Sequence, residues 1–186
     1  MKTIFTLLLF ISGISTQAQE VNNFSLLNVK DNKNVSLSNF TSVSVIVIIF
    51  TSQECPFDNY YKDRLKELIQ TYAGKVQFLL INSNAEIEES ADQMAIHYTD
   101  LHVPYLADKE QAVMMNLGAK KTPEAFIITS KGGKFMVAYN GALDDNPQAA
   151  QDVRNYFLKD AIENTLRGQK VEPSTQRATG CTLRKK

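Results

Sequence analysis

The sequence predicts an α/β fold in which a central mixed β-sheet is flanked by helices. Three observations predict it: residues 43–50 form a continuous β-branched apolar run, residues 57–72 carry apolar side chains at helical spacing, and residues 76–81 form a second apolar run. Two strands joined by a helix make a βαβ unit, which is parallel and right-handed in nearly all cases. Because neither run alternates with polar residues, we expect both strands to be buried on both faces.

The first residues have the pattern of an export signal. Lys2 supplies a positive charge, residues 4–14 an apolar region, and residues 16–18 a small-residue cleavage site. We therefore predict a signal peptide over residues 1–18 and a periplasmic or secreted protein. The alternative is a membrane anchor, but the apolar region is shorter than the roughly 18 residues that a membrane span needs, and no later segment approaches that length.

The rest of the chain is long enough for one continuous core and too short for two comfortable domains. We predict one domain over residues 19–168 and a polar, basic tail over residues 169–186. Twenty basic and twenty acidic residues cancel, so the charge gives no indication of a nucleic-acid partner. Two cysteines, Cys55 and Cys181, are available for one disulfide in a chain that leaves the reducing cytosol.

Shorter signals predict the remaining elements of the first half and of the middle of the domain. Residues 19–42 are consistent with a hairpin or an extended lead-in. Ser90 begins a Ser-x-x-Gln capping box and is expected to open a helix. Asp108 is expected to cap a second short helix that ends at Gly118.

The second half of the domain reads as a hairpin followed by a helix. Residues 125–129 form an apolar strand, and Lys-Gly-Gly-Lys at residues 131–134 is typical of a hairpin turn. The strand over residues 135–139 is then antiparallel, which makes the sheet mixed. The last helix is predicted from about residue 147 to residue 166, closed by Gly168.

Cys55 is the main candidate for chemistry, because it lies where the first buried strand passes into the helix. A helix N-terminus presents unpaired N–H groups and a partial positive charge, which favour the reactive thiolate over the thiol. Pro56 suits the first helical position, where an N–H has no intrahelical partner. The alternative for Cys55 is a small buried apolar residue or one half of an inert bridge.

Cys181 is the candidate resolving cysteine. Its basic neighbours Arg184, Lys185 and Lys186 favour a thiolate there as well. The alternative is a free or purely structural thiol. Pairing between Cys55 and Cys181, within one chain or across a homodimer, stays open because the sequence does not give the distance between their Cα atoms.

The sequence gives no indication of a metal site or of a cofactor. His97 and His102 are the two histidines, and neither has ligand-like spacing to the other or to a cysteine. Nothing in the predicted order places a histidine beside Cys55, which disfavours a Cys-His hydrolase pair.

The order of elements resembles the thioredoxin fold, and short motifs resemble the redoxin or peroxiredoxin-like proteins, a group that includes alkyl hydroperoxide reductases and thiol-specific antioxidants. These motifs are Glu54-Cys55-Pro56 with residues 60–65, Ile81-Asn82, residues 104–108, Gly118-Ala119, residues 122–126 and residues 180–183. The resemblance implies that Cys55 is the reactive cysteine and that Pro123 is a cis-proline lying against it. The backbone of Thr122 would then be able to pair with an incoming peptide, and Ser52 and Pro56 would border the substrate.

Two departures from those families bear on the reaction. The sequence Cys-Pro-Phe-Asp at residues 55–58 ends in Asp58, where a thioredoxin has its second cysteine. Typical peroxiredoxins carry Pro-x-x-x-Thr-x-x-Cys, and here Ile48 and Ser52 occupy the proline and threonine positions. The arginine expected downstream has no match between Arg64 and Arg154.

Three functional hypotheses follow from these observations. The first, which we favour, is a thiol-based oxidoreductase: Cys55 attacks a protein disulfide or a hydroperoxide, and Cys181 or an external thiol reductant resolves the intermediate. The second is a non-catalytic binding module stabilised by one disulfide, with a partner held beside Pro123. The third is an exported metal-handling redoxin. Replacement of Cys55 by serine distinguishes them, because it removes activity in the first, spares binding in the second and lowers metal stoichiometry in the third.

Overall fold

The computed structural model describes residues 19–97 and 101–186. The predicted signal peptide, residues 1–18, lies outside the described residues. Within them the strands are β1 Ser25–Asn28, β2 Lys33–Ser36, β3 Val45–Phe50, β4 Gln77–Asn82, β5 Tyr105–Ala107, β6 Lys121–Thr122, β7 Glu124–Lys131, β8 Lys134–Gly141, β9 Thr175–Gln176 and β10 Cys181–Thr182. The α-helices are α1 Pro56–Thr71, α2 Ala91–Ile96, α3 Ala112–Leu117 and α4 Phe157–Leu166. None of these helices is long and apolar enough to cross a membrane.

Eight strands form one mixed sheet in the order β2-β1-β5-β4-β3-β7-β8-β9. Strands β3 and β4 are parallel and joined through α1, which confirms the predicted βαβ unit. Strands β7 and β8 form the predicted antiparallel hairpin around Gly132 and Gly133, both of which have positive φ. Strands β1 and β2 form the hairpin that was one of two alternatives for the lead-in.

The central strand β3 is fully buried, as its uninterrupted apolar sequence predicts. Successive side chains of a strand point to opposite faces, so β3 contributes to two cores. One core, shared with α1 and α4, contains Val45, Val47, Ile49, Leu65 and Ile162. The other, shared with α3, contains Ile46, Ile48, Phe50, Met114 and Leu117. The sheet is therefore held between helices at its centre, and the end of β3 is fixed from both sides.

Helix α3 begins later than predicted. Its first residue is Ala112, and Asp108 precedes it by a full turn. The Asp108 carboxylate nevertheless accepts hydrogen bonds from the backbone N–H groups of Val113 and Met114, at 3.2 and 2.9 Å. From the loop before α3, Asp108 thus accepts the hydrogen bonds of N–H groups in the first turn of the helix. Gly118 ends the helix with φ of 73°, as expected.

The last helix was predicted about ten residues too long at its N-terminal end. Helix α4 begins at Phe157, and residues 147–156 form a loop that contains one 3₁₀ turn. Polar side chains compete with the helix here, because Asp145 accepts a hydrogen bond from the backbone of Arg154 and Asn146 accepts one from Ala149. The predicted helix at Ser90 is present as α2, although Ser90 makes no side-chain cap bond.

The C-terminal residues pack onto the domain. Strand β9 adds to the sheet edge beside β8, and β10 pairs with β6 in a separate two-stranded sheet. Val171, Ala178 and Leu183 are buried. This returning segment brings Cys181 to the carboxyl end of β3.

Candidate active site at the end of the central strand

Cys55 lies at the junction that the sequence predicts. Strand β3 ends at Phe50, a four-residue loop follows, and Cys55 is the N-cap residue of α1 with Pro56 in the first turn. Only 1% of the Cys55 surface is exposed. Cys55 therefore lies at the N-terminus of α1 and is enclosed by protein.

Cys55 is joined to Cys181 by an intrachain disulfide with a Cα–Cα distance of 5.9 Å. Cys181 belongs to β10 and is the more exposed of the two residues. The pairing that the sequence left open is thus made within one chain. A sulfur must be accessible to be attacked by an external thiol. Cys181 is therefore the end of this disulfide that an external thiol reaches more easily.

Thr122 and Pro123 lie against the disulfide. Their peptide bond is cis, as the resemblance implies. The carbonyl oxygen of Thr122 is 3.3 Å from Cys55 Sγ, and Thr122 pairs in antiparallel register with Cys181. Gly180 passes so close that a Cβ atom there would lie 2.2 Å from the Thr122 oxygen.

Ser52 does not direct its hydroxyl to the sulfur. The Ser52 hydroxyl donates a short hydrogen bond to Glu89, a buried carboxylate in a 3₁₀ turn. Glu89 also accepts hydrogen bonds from the backbone N–H groups of Gln53 and Glu54 and from the Asn82 amide, at 3.1, 3.2 and 2.6 Å. One carboxylate therefore fixes the loop that carries the chain from β3 to Cys55.

Glu89 is a site residue that the sequence reasoning missed. Burial raises the pKa of Glu89, but the hydrogen bonds from Ser52, Asn82 and the loop backbone outweigh it and hold this pKa below its ordinary value. In the sequence Glu89 stands in a run of acidic residues that is typical of a solvated turn. No local pattern distinguishes it, because its partners lie up to 37 positions away.

Asp58 points inward, although it replaces a cysteine of the related dithiol proteins. Its Oδ1 accepts a 2.5 Å hydrogen bond from the Thr51 hydroxyl, and its Oδ2 is enclosed without a partner among the described residues. Burial raises the pKa of Asp58 to about 7, against the opposing effect of the Thr51 bond. A buried acid whose pKa is raised to about 7 thus lies in the first turn of α1.

Both cysteines line an open groove of about 490 Å³. Three exposed carboxylates, Glu54, Glu86 and Glu88, border it, and Arg184 of the returning segment lies among them. The groove is thus acidic on one rim and gives solvent access to the disulfide.

Arg64, near Cys55 in the sequence, and Lys121, next to Thr122, both direct their donors to other groups. Arg64 forms an ion pair of 2.5 Å with the buried Asp144 and donates to the backbone oxygens of Asn146 and Pro147. Asp144 thus anchors this loop. Lys121 donates to the Thr182 hydroxyl at 2.9 Å. His97 is exposed, and no group of three or more potential metal ligands occurs in the described part of the chain.

Comparison with known proteins gives the same fold. An uncharacterised conserved protein from Geobacillus kaustophilus has 29% identity and a TM-score of 0.81, covering 91% of this chain and 92% of that chain. A hypothetical protein from Sinorhizobium meliloti has 26% identity and a TM-score of 0.79, covering 91% of this chain and 94% of that one. A candidate thiol:disulfide interchange protein DsbE from Chlorobium tepidum has 18% identity and a TM-score of 0.61, covering 80% of this chain and 96% of that one.

No curated protein sequence matches the chain. The family model of Redoxin matches residues 16–157, which include Cys55 and Pro123. The match spans most of the sequence and agrees with the mixed sheet, the helix that begins after Cys55 and the cis-proline beside it. The chain therefore belongs to the Redoxin family and has a thioredoxin-like fold.

Proposed function

We propose that the protein is a thiol–disulfide oxidoreductase in which Cys55 is the nucleophile and Cys181 the resolving cysteine. The observation that carries the proposal is the disulfide between these two residues at the N-terminus of α1. A helix N-terminus stabilises a thiolate at Cys55, both as an attacking group and as a leaving group.

The proposed cycle begins with reduced protein. The Cys55 thiolate attacks a protein disulfide, forms a mixed disulfide with one substrate sulfur and releases the other as a thiolate. The Cys181 thiolate then attacks Cys55 Sγ, forms the Cys55–Cys181 bond and releases the second substrate thiolate. The substrate disulfide gains two electrons and becomes two thiols, while the two protein thiols become a disulfide.

An external thiol reductant restores the reduced protein. Its thiolate attacks the more accessible sulfur, that of Cys181, and displaces the Cys55 thiolate. A second thiol of the reductant then releases Cys181, so that the reductant leaves as a disulfide. All of these steps use one protomer, because the disulfide is intrachain.

The flanking residues have distinct proposed roles. Thr122 offers its backbone to an extended substrate, and Pro123 keeps that strand edge against the sulfur. Pro56 borders the site as an exposed residue of the first turn. Ser52 acts indirectly, because its hydroxyl holds Glu89 and thereby the loop before Cys55.

Disulfides fit this site better than hydroperoxides. Peroxide reduction needs a cation or hydroxyl donor directed at the peroxide oxygens, and Arg64 and Ser52 direct their donors to Asp144 and Glu89. A hydroperoxide remains the second candidate, since its reaction would convert Cys55 to a sulfenic acid that Cys181 condenses to the same disulfide. The N-terminal pattern of charge, apolar region and small residues favours an exported protein for either substrate.

The test is intact mass against time for reduced protein with one equivalent of oxidised glutathione or of hydrogen peroxide. Oxidised glutathione should first produce a glutathione adduct at Cys55. This adduct should then give way to protein with the Cys55–Cys181 disulfide, whose mass is that of the reduced protein less two hydrogen atoms. In the Cys181→Ser variant the adduct should persist, and in Cys55→Ser it should not form. If hydrogen peroxide oxidises the protein faster than it oxidises a free thiol, the result would favour the peroxidase. No reaction with either oxidant would contradict both and leave the binding module.

A further inference from the structure

The last residues of the chain form one wall of the active-site groove and pair with the domain as a bound peptide would. Cys181 and Thr182 pair with Thr122 and Lys121, and the backbone N–H of Leu183 donates to the Lys120 oxygen at 3.0 Å. These contacts are made by main-chain atoms of residues 181–183. An extended segment of another polypeptide could therefore make the same contacts.

Gln111 makes further contacts with the main chain of this segment, beyond the pair of strands β6 and β10. Its side-chain amide donates to the Arg184 oxygen at 2.8 Å and accepts from the Lys186 N–H at 2.8 Å. Gln111 is 2% exposed, and its amide is held from behind by a 3.0 Å bond to the Ser83 oxygen. A buried, oriented amide that bonds one donor and one acceptor of the segment is built to bind a peptide backbone.

Leu183 is the side chain of this segment that the domain encloses. It is 7% exposed and belongs to the same apolar cluster as four residues of α3 and the segment after it: Val113, Met114, Leu117 and Ala119. An apolar pocket therefore lies two residues after the cysteine. Burial of a leucine side chain in such a pocket favours segments that carry one at this position.

The positions before the cysteine and after Leu183 are also restricted. At Gly180 the 2.2 Å approach to the Thr122 oxygen leaves no room for a side chain. Arg184 lies beside Glu54, Glu86 and Glu88 on the acidic rim of the groove. A glycine before the cysteine and a basic residue three positions after it match these two features.

We propose that the surface covered by residues 180–186 is a sequence-selective site for a cysteine-bearing polypeptide segment, with glycine before the cysteine, a leucine-sized residue two after it and basic residues beyond. The C-terminal segment, residues 180–186, is its built-in occupant. The inference rests on the proposed thiol–disulfide exchange and adds the class of segment that Cys55 attacks.

The occupant and the substrate exchange places during the reaction. When Cys55 and Cys181 are reduced, residues 180–186 are held by noncovalent contacts and can be displaced. The Cys55 thiolate attacks the cysteine of the incoming segment, forms a Cys55–segment disulfide and releases that cysteine's former partner as a thiolate. Return of residues 180–186 brings Cys181 to Cys55 Sγ and expels the segment as a thiolate.

The test uses the full chain carrying Cys181→Ser, in which Cys55 is the remaining thiol. The probe is the peptide Thr-Gly-Cys-Thr-Leu-Arg-Lys-Lys, with its cysteine in a mixed disulfide to thionitrobenzoate, whose release is followed by absorbance. Peptides with alanine for leucine, valine for glycine, or glutamates for the three basic residues are compared at concentrations below saturation. We expect each change to lower the second-order rate by about tenfold or more, as loss of about 1.4 kcal/mol of binding would.

Two further measurements separate the possible failures. The small disulfide dithiobis(nitrobenzoate) carries no peptide for the site to select and should react readily with Cys55. The additional change Leu183→Ala should raise the rate of reaction with the parent peptide, because it loosens residues 180–186. Equal rates for all four peptides, with normal reaction of the small disulfide, would overturn the proposed selectivity of this surface and leave the proposed function intact. Failure of the small disulfide as well would overturn the proposed function itself.

Discussion

Cys181 lies directly opposite Thr122 in an antiparallel pair, and the Thr122 carbonyl oxygen lies 3.3 Å from the sulfur of Cys55. The strand edge that borders the reactive sulfur is therefore covered by the segment that carries the resolving cysteine. A substrate and this segment cannot occupy the edge together, so resolution of a mixed disulfide and release of the substrate become one event.

The variant Gly180→Val should weaken formation of the Cys55–Cys181 disulfide. A Cβ atom at residue 180 would lie 2.2 Å from the Thr122 oxygen, so the segment must shift away from β6. Overpacking of this kind costs about 1–3 kcal/mol, which corresponds to a fall of roughly tenfold to a hundredfold in the equilibrium constant. Thiol trapping and mass analysis in glutathione redox buffers measure that constant.

Thr179→Val is the matched control, because Thr179 is exposed and lies one residue earlier. It should leave the equilibrium unchanged. A Gly180→Val protein with the wild-type constant would show that close packing at residue 180 does not hold the segment.

Reduction of the disulfide should lower the free energy of unfolding by about 4 kcal/mol. The bond closes a loop with a sequence separation of 126 and so restricts the unfolded chain strongly. Urea denaturation of oxidised and reduced protein measures the difference, and Cys181→Ser should match the reduced form. Hydrogen exchange should be faster after reduction at residues 181–186 and unchanged in β3. Equal protection of residues 181–186 in both forms would argue against displacement of this segment.

The variant Glu89→Gln should destabilise the protein by about 2–4 kcal/mol. Its amide nitrogen would replace one carboxylate oxygen and place donors against the N–H of either Gln53 or Glu54, which now bond Oε2 and Oε1 respectively. Because the pKa of Glu89 is lowered in the folded protein, the stability it contributes is present above its ordinary pKa of 4.5 and lost as the pH falls below it.

Glu88→Gln, at an exposed neighbour, is the control and should change stability by less than about 0.5 kcal/mol. Urea denaturation at pH 4 and pH 7 compares the three proteins. The Glu89→Gln penalty should be larger at pH 7, and a penalty independent of pH would count against an ionised Glu89.

Asp58 should make the folded protein less stable as the pH rises from about 4 to 7. Burial raises the pKa of Asp58 from 3.8 to about 7, so the folded protein retains a proton that the unfolded chain releases. Each pKa unit corresponds to about 1.4 kcal/mol, so stability that is fully present below pH 4 falls by about 4 kcal/mol once the pH exceeds 7.

Asp58→Asn removes the titrating group and should flatten this part of the stability profile. Asp63→Asn, an exposed acid on the same helix, should leave the profile as in the wild type. The measurement is urea denaturation of the oxidised proteins at half-unit steps of pH. Parallel profiles for wild type and Asp58→Asn would exclude Asp58 as the source of the slope.

The local part of the site could be predicted from the sequence. An apolar run, a short polar loop and Cys55-Pro56 before an amphipathic helix place the cysteine at an N-cap through interactions between near neighbours. The hairpin at Gly132 and Gly133 and the end of α3 at Gly118 follow from turn chemistry in the same way. The predicted start of α4 was wrong because Asp145 and Asn146 accept hydrogen bonds from the nearby backbone, and these bonds compete with a helix there.

The βαβ unit, the position of Cys55 at the helix start and the presence of a second cysteine could all be read from the sequence, because backbone preferences and apolar periodicity act over a few residues. Three features became visible in the folded chain alone: Cys181 pairs with Cys55, Glu89 holds the loop before Cys55, and Gln111 binds the returning backbone. Each of these is a contact between residues at least 35 positions apart. Such contacts form when the whole chain buries its two cores, and no local pattern encodes which distant partners that packing brings together.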